Sequence, residues 1–252
     1  MVMLFPTIIY IFPSVFYVQV IDFWRVHNNH GFDRGSKRKD RNCHGRRFRW
    51  VGHEISFPQI PSNKTLCFYI QTLTTFEGIG LEFVRLLLKN GCNVVIGDLQ
   101  LNPNAQKLVE STSGPSKVVF KKTDVTNWVE LTDLFTFTEK EFGTPDIVCP
   151  AAGIFEPKWS NFWNDTEEQG YKTVQVNIEH PVKATRLAIR SFLKANKAGI
   201  VAHVSSIGGQ CTRLGVPIYC ATKAFINHFV RAFAELDSKE RIKVLAVAPG
   251  FV

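Results

Sequence analysis

From residue 78 onward the chain alternates two hydrophobic rhythms. In EGIGLEFVRLLLKNG (77–91), Ile79, Phe83, Leu86 and Leu87 recur at three- and four-residue spacing, which places them along one helix face ending at Gly91. CNVVIGD (92–98) then runs apolar without alternation and closes on an acid, the pattern of a strand buried on both faces. The same exchange repeats downstream. Helices are predicted at 104–112, 127–142, within 166–195 and at 217–237, and strands at 117–125, 146–153, 199–206 and 241–250. NKTLCFYIQT (63–72) supplies a strand ahead of the first helix. Apolar strands separated by helices specify a doubly wound α/β fold, a parallel sheet with helices on both faces.

The amino-terminal part has a different pattern. Residues 1–21, MVMLFPTIIYIFPSVFYVQVI, carry no charge, a length that just spans a bilayer, although Pro6 and Pro13 interrupt it. No charged leader or small-residue cleavage site of the signal-peptide kind accompanies the run. The expected partition is an extension at 1–60, outside the core, and a dinucleotide-binding and catalytic domain at 61–252. The domain is then cytoplasmic, or held on the cytoplasmic side of a membrane by residues 1–21, with the basic run that follows facing the cytoplasm.

Charge changes the picture only locally. Residues 25–49 hold nine Lys/Arg against two Asp and so account for seven of the net +8 charges. The rest of the chain is close to neutral, and a local run of this kind reads as a solvated arm, so no nucleic-acid partner is expected. The six cysteines are scattered, without a CxxC or a Cys/His cluster, which fits a reducing compartment and no metal site.

Candidate chemistry gathers where the strands end. In doubly wound sheets ligands bind beyond the carboxyl ends of the strands. Gly78, Ile79 and Gly80 open the first helix, where backbone N–H groups and the helix dipole receive a pyrophosphate. Asp98 ends the next strand, where a carboxylate holds a ribose 2′-OH. Leu99 and Gln100 follow it with no cation to meet a 2′-phosphate, so NAD is the expected cofactor and NADP the less favoured one. Tyr219 and Lys223 stand four residues apart in IYCATKAFINHF (218–229), one turn apart on one helix face. Such a pair is either surface decoration or an acid with the cation that tunes it. A free phenol titrates at about 10, too high for efficient proton exchange near neutrality, and an adjacent cation favours phenolate.

Ser206, which precedes Tyr219 by thirteen residues in a chain that also has Lys223 four residues after the tyrosine, resembles the YxxxK active site of the short-chain dehydrogenase/reductase family. Asn177 in VQVNIEHP falls where that family carries its catalytic Asn. Asp124-Val125 resembles its adenine-contacting DV, and Pro249-Gly250 its cofactor-loop PG. VCPAAGIFEP further resembles a fungal subgroup similar to 15-hydroxyprostaglandin dehydrogenases. The likeness covers roughly residues 78–252. It implies an NAD-dependent oxidoreductase interconverting a small apolar secondary alcohol and a ketone, and a homodimer or homotetramer when intact. In that scheme Tyr219 exchanges the proton, and Ser206 hydrogen-bonds the substrate oxygen. Lys223 supports Tyr219 and bonds the nicotinamide ribose, while Asn177 holds a water for proton relay.

Three features depart from the family pattern. TGxxxGIG reads Leu73-Thr74-Thr75-Phe76-Glu77-Gly78-Ile79-Gly80, with Thr74 in place of the turn glycine and an anion at Glu77. NNAG reads Pro150-Ala151-Ala152-Gly153, which keeps Ala152 and Gly153 as cofactor contacts and loses both asparagines. The sequence stops at Val252, before the segment that closes the family's substrate pocket, so a fragment is expected. These departures favour the alternative reading of a catalytically silent Rossmann-type binding protein or a non-functional truncated product.

Overall fold

The computed structural model describes residues 79–111, 116–155, 162–163 and 170–250, together with the backbone of strands at Thr7–Ile9, Val18–Val20 and Thr65–Tyr69. Its strands are β1 (Thr7–Ile9), β2 (Val18–Val20), β3 (Thr65–Tyr69), β4 (Asn93–Asp98), β5 (Val118–Lys122), β6 (Ile147–Pro150), β7 (Gly199–Val204) and β8 (Ile242–Pro249). The helices are α1 (Ile79–Lys89), α2 (Pro103–Ser111), α3 (Trp128–Phe142), α4 (Lys172–Val174), α5 (His180–Lys194), α6 (Pro217–Phe229) and α7 (Ala234–Glu240). A π-helical turn, Gln175–Glu179, joins α4 to α5, and a 3-10 turn, Val230–Phe233, joins α6 to α7.

One sheet runs β1-β2-β8-β7-β6-β3-β4-β5. From β5 to β8 every pairing is parallel, and chain order reverses between β3 and β6. That reversal is the switch point of a doubly wound sheet, where two connections leave in opposite directions and open a crevice.

The central strands β4 and β6 are apolar because they bury both faces. In β4, Val95 packs into a cluster with Leu131, Leu134, Ala188 and Phe192 from α3 and α5, while Val94 and Ile96 pack with Val84 and Leu87 of α1. Gly97 is glycine for a packing reason: a Cβ there would lie 2.2 Å from a methyl of Leu134. Asn127 starts α3 by accepting hydrogen bonds from the Val129 and Glu130 amides, a cap worth about 1 kcal/mol. Pro150 is the last residue of β6, where its missing N–H costs the ladder least.

The amino-terminal segment departs from expectation. β2 pairs antiparallel with β8, Val18 opposite Pro249 and Val20 opposite Val247, and β1 pairs antiparallel with β2. Part of residues 1–60 thus joins the sheet at its β8 edge instead of standing apart from the core. The physical reason is the edge itself, whose unpaired backbone groups template a further strand. Within residues 1–21, expected as a membrane anchor, the described parts are these two short strands, and the rest lies outside the described residues. Among the described residues no helix is long and apolar enough to cross a membrane.

Candidate active site

The ends of β6 and β7 and the first turns of α6 bring four of the expected residues together. Ser206 follows β7 in extended backbone and caps the short 3-10 turn Ile207–Gly209, its Oγ accepting from the Gly208 amide at 3.0 Å. The Ser206 hydroxyl is also hydrogen-bonded to the Tyr219 phenol. With its acceptor side on Gly208, the hydroxyl is free to donate toward the phenolic oxygen.

Gly208 and Gly209 make this closeness possible. A Cβ on Gly208 would lie 3.3 Å from the Tyr219 ring and 3.4 Å from Ser206 Oγ. One on Gly209 would meet the backbone of Lys223 at 2.6 Å. The turn therefore lies directly on α6, and Ser205 Oγ adds a bond to the Lys223 carbonyl at 3.0 Å.

Lys223 is buried, at 5% exposure, and its ammonium donates to the Val204 carbonyl at 2.7 Å. It stands 5.6 Å from the centre of the Tyr219 ring. Removal from water is costly for a cation, and burial brings its pKa down to about 8. Burial also raises the Tyr219 phenol above its ordinary value, and the Ser206 bond offsets only part of that rise. In the protein alone the phenol is thus held neutral. The lowering expected from Lys223 is not what sets the phenol here; the Lys223 ammonium bonds the Val204 carbonyl and stands 5.6 Å from the ring centre.

Asn177 lies in the π-helical turn, a local widening that often marks functional helices. Its Oδ1 accepts from the Ile154 amide, and its Nδ2 donates to the Ile154 carbonyl and to Thr222 Oγ1. Gly153 completes the corner, since a Cβ there would come within 3.2 Å of Lys223 Nζ and 3.6 Å of Asn177 Oδ1. Asn177, Ser206, Tyr219, Lys223 and Gly153 form one cluster.

The expected cofactor residues lie at strand ends, in a turn and in the core. Asp98 ends β4, only 3% exposed, and accepts from the Leu99 amide at 2.6 Å. It borders a small pocket with Leu81, Ile96, Gln100, Leu101, Asn102 and Ala105. Asp124 instead closes its own turn: Oδ1 accepts from the amide and the hydroxyl of Thr126 at 2.9 and 2.7 Å. Burial alone would raise its pKa, but these bonds and the charge of Lys172 leave it lowered. Val125 and Ala152 are packed into the core. Ile79 and Gly80 begin α1, and Pro249 and Gly250 stand at the end of β8. Gly78, Thr74 and Glu77 lie outside the described residues. Among the described residues no cluster of metal-ligating side chains occurs.

Three participants were missed from the sequence. Thr222 bonds Asn177, the Val204 carbonyl holds Lys223, and Phe155 lies with its ring 4.3 Å from that of Tyr219. Thr222 sits inside the Tyr–Lys spacing and was the one most open to detection.

A sequence model of the short chain dehydrogenase family matches residues 73–252. The chain belongs to that family. Human 15-hydroxyprostaglandin dehydrogenase [NAD(+)] is 30% identical over 182 residues, 70% of this chain and 65% of the human protein. Short-chain dehydrogenase/reductase prx4 of Penicillium rubens is 30% identical over 181 residues, 69% of this chain and 51% of the fungal protein. The chain therefore spans just under two thirds of the human relative and about half of the fungal one. Among solved structures, a short chain dehydrogenase/reductase from Burkholderia phymatum in complex with NAD superposes with a TM-score of 0.66 at 18% identity, covering 77% of this chain and 68% of that one. A short chain dehydrogenase from Mycobacterium smegmatis gives 0.62 at 22% identity, covering 72% and 75%. At those identities the likeness supports the short-chain dehydrogenase fold.

Proposed function

We propose that this chain carries the nucleotide-binding and catalytic portion of an NAD-dependent oxidoreductase that interconverts a secondary alcohol and a ketone. The observation that carries the reading is the joining of Ser206, Tyr219 and Lys223: a phenol hydrogen-bonded to a serine hydroxyl, with a buried ammonium beneath its ring. Tyr219 exchanges the carbinol proton. Ser206 donates to the substrate oxygen and steadies the charge that develops there. Lys223, buried and cationic, favours the phenolate when proton transfer occurs. Asn177 holds the loop after β6 against α6, and this fixes the wall of the site.

NAD, when bound, supplies the hydride acceptor. The residues that would hold it are Gly78, Ile79 and Gly80 at the start of α1, Asp98 at the ribose, Asp124 and Val125 at the base, and Ala152, Gly153, Pro249 and Gly250 along the crevice. Tyr219 and Lys223 would meet its reactive end. The buried Asp98 carboxylate at the end of β4 has the acceptor chemistry that a ribose hydroxyl needs. The name of the human relative specifies NAD(+), and the Burkholderia structure is a complex with NAD. Both support NAD over NADP. Assembly as a homodimer or homotetramer belongs to the same proposal.

A second reading rests on Thr74 and Glu77, which replace the turn glycine and place an anion beside the phosphates. They favour a protein that keeps the family fold without turnover. Incubating the chain with NAD and a secondary alcohol while following NADH formation separates the two. Sustained NADH formation supports the oxidoreductase, and its absence despite measurable NADH binding supports the silent protein.

A further inference from the structure

β8 outruns its parallel neighbour. β7 pairs with it from Gly199 opposite Ile242 to Val204 opposite Val247, and the Ser205 amide then donates to the Val247 carbonyl at 2.7 Å. Beyond that bond the chain after β7 leaves the sheet for the 3-10 turn Ile207–Gly209. Ala248 and Pro249, which lead into Gly250, therefore extend past β7. Among the described residues, the strand that pairs with them is β2, with Gln19 opposite Ala248 and Val18 opposite Pro249.

The alternation of a strand's backbone groups says what this pairing does. The two polar groups of one residue point to one edge, and those of the next residue point to the other. The Val247 carbonyl faces β7, so the Ala248 amide and carbonyl face β2, and Gln19 and Ala248 form a rung that exchanges two hydrogen bonds. Ala248 is only 4% exposed, so its backbone groups depend on that rung and not on water. Pro249 comes next, and its nitrogen, which carries no hydrogen, turns to the side that β7 has left. The proline thus costs the β2 pairing no donor. β1 in turn pairs along β2, Ile8 opposite Gln19, and gives the short strand a second neighbour.

We propose that the amino-terminal pair of strands, β1 and β2, is a brace for the cofactor loop, holding the Pro249–Gly250 end of β8 in the position that receives NAD. The inference rests on the dinucleotide-binding reading. It adds a positioning element that lies outside residues 73–252, the part of the chain that the family model matches. The brace acts at the same end of the sheet as the candidate site, since Val247 stands opposite Val204, whose carbonyl holds the Lys223 ammonium. A loop held in place beforehand loses less backbone freedom on binding than one that is ordered by its ligand.

Gln19→Pro tests the brace, because proline removes the N–H that bonds the Ala248 carbonyl. Gln19→Ala is the control that keeps the backbone rung. Thermal unfolding checks that both variants keep the parallel sheet. Fluorescence titration should show Gln19→Pro binding NADH about tenfold more weakly than the parent, the scale of one further backbone residue to order on binding. Gln19→Ala should stay within about twofold of the parent. Parental affinity in a folded Gln19→Pro, or equal losses in both variants, would overturn the inference while leaving the dinucleotide-binding reading intact. If the parent binds no NADH, that reading falls and the inference falls with it. A second readout needs no cofactor and separates a local brace from general stabilisation. Hydrogen exchange at the Ala248 amide should be slow in the parent and at least about tenfold faster in Gln19→Pro, while the Val201 and Leu245 amides of the β7–β8 ladder stay slow. Should Gln19→Pro fail to fold, the parent decides: an Ala248 amide that exchanges as fast as an unpaired one overturns the brace, and a protected one supports it.

Discussion

Asn177 grips the backbone of Ile154 at both polar atoms, accepting from its amide at 2.8 Å and donating to its carbonyl at 2.9 Å. The amide side chain thereby behaves like one rung of a β-ladder between a helix and a loop. It also reaches Thr222 on α6 at 3.1 Å, so three segments meet on one residue. Removing such a side chain leaves partly buried backbone groups without partners.

Asn177→Ala is therefore expected to lower stability by about 1–3 kcal/mol, the usual cost of stranding polar groups away from water. Urea denaturation of the parent and the variant measures it. Asn177→Asp should recover part of the loss, because the acceptor for the Ile154 amide remains while the donor to its carbonyl is gone.

Acid should weaken this protein through two histidines that the mechanism does not use. His180 and His203 are both buried between β7 and the helices, and Thr185 Oγ1 stands 3.0 Å from His203 Nε2. Burial lowers their pKa values to about 4 and about 3, with the charge of Lys223 opposing protonation of both. In the unfolded chain they titrate near 6.5, so below that pH the unfolded state takes up protons that the folded state refuses. Stability should be flat above about pH 7 and fall as pH drops through 6.5 toward 4. The loss should reach about 2 kcal/mol for each histidine by pH 5. Urea midpoints at pH 7, 6 and 5 test this, and His203→Gln should make the decline shallower.

Much of the fold was legible because two periodicities report burial directly. The unalternating run at 92–98 became β4, and the three-four spacing at 79–87 became α1, although the face it buries is Leu81, Val84 and Leu87 and Ile79 is exposed. The Tyr219–Lys223 pair was legible because four residues make one helix turn, and Ser206 was joined to it by resemblance to the family motif. Asn177 was recognised by resemblance in position, but neither its π turn nor its bonds to Ile154 and Thr222 follow from a local pattern. The bonds that Asp124 accepts from Thr126, a common role of an Asp at a turn, were not read from the sequence. The pairing of β2 with β8 escaped notice because a three-residue strand has no readable period.

Asp98 should set the choice of cofactor. A 2′-phosphate would meet its buried carboxylate at the end of β4, whereas a ribose hydroxyl can donate to it. Fluorescence titration should show NADH binding at least about tenfold more tightly than NADPH, a difference of about 1.4 kcal/mol. Asp98→Asn should narrow that gap chiefly by improving NADPH. Tighter binding of NADPH by the parent chain would remove Asp98 from the ribose.

The central claim, that Tyr219 and Lys223 do chemistry, is tested most directly by measuring NADH formation and NADH affinity together in the parent chain, Tyr219→Phe and Lys223→Ala. Tyr219→Phe should abolish turnover and leave NADH affinity nearly unchanged, because the ring keeps its contacts with Phe155 and Gly208 while the proton-exchanging oxygen is lost. Lys223→Ala should damage both, and the loss of a charge-assisted hydrogen bond should cost roughly ten- to hundredfold in affinity. Near-parental turnover by Tyr219→Phe would contradict the account, and the pair would then be a packing feature of α6.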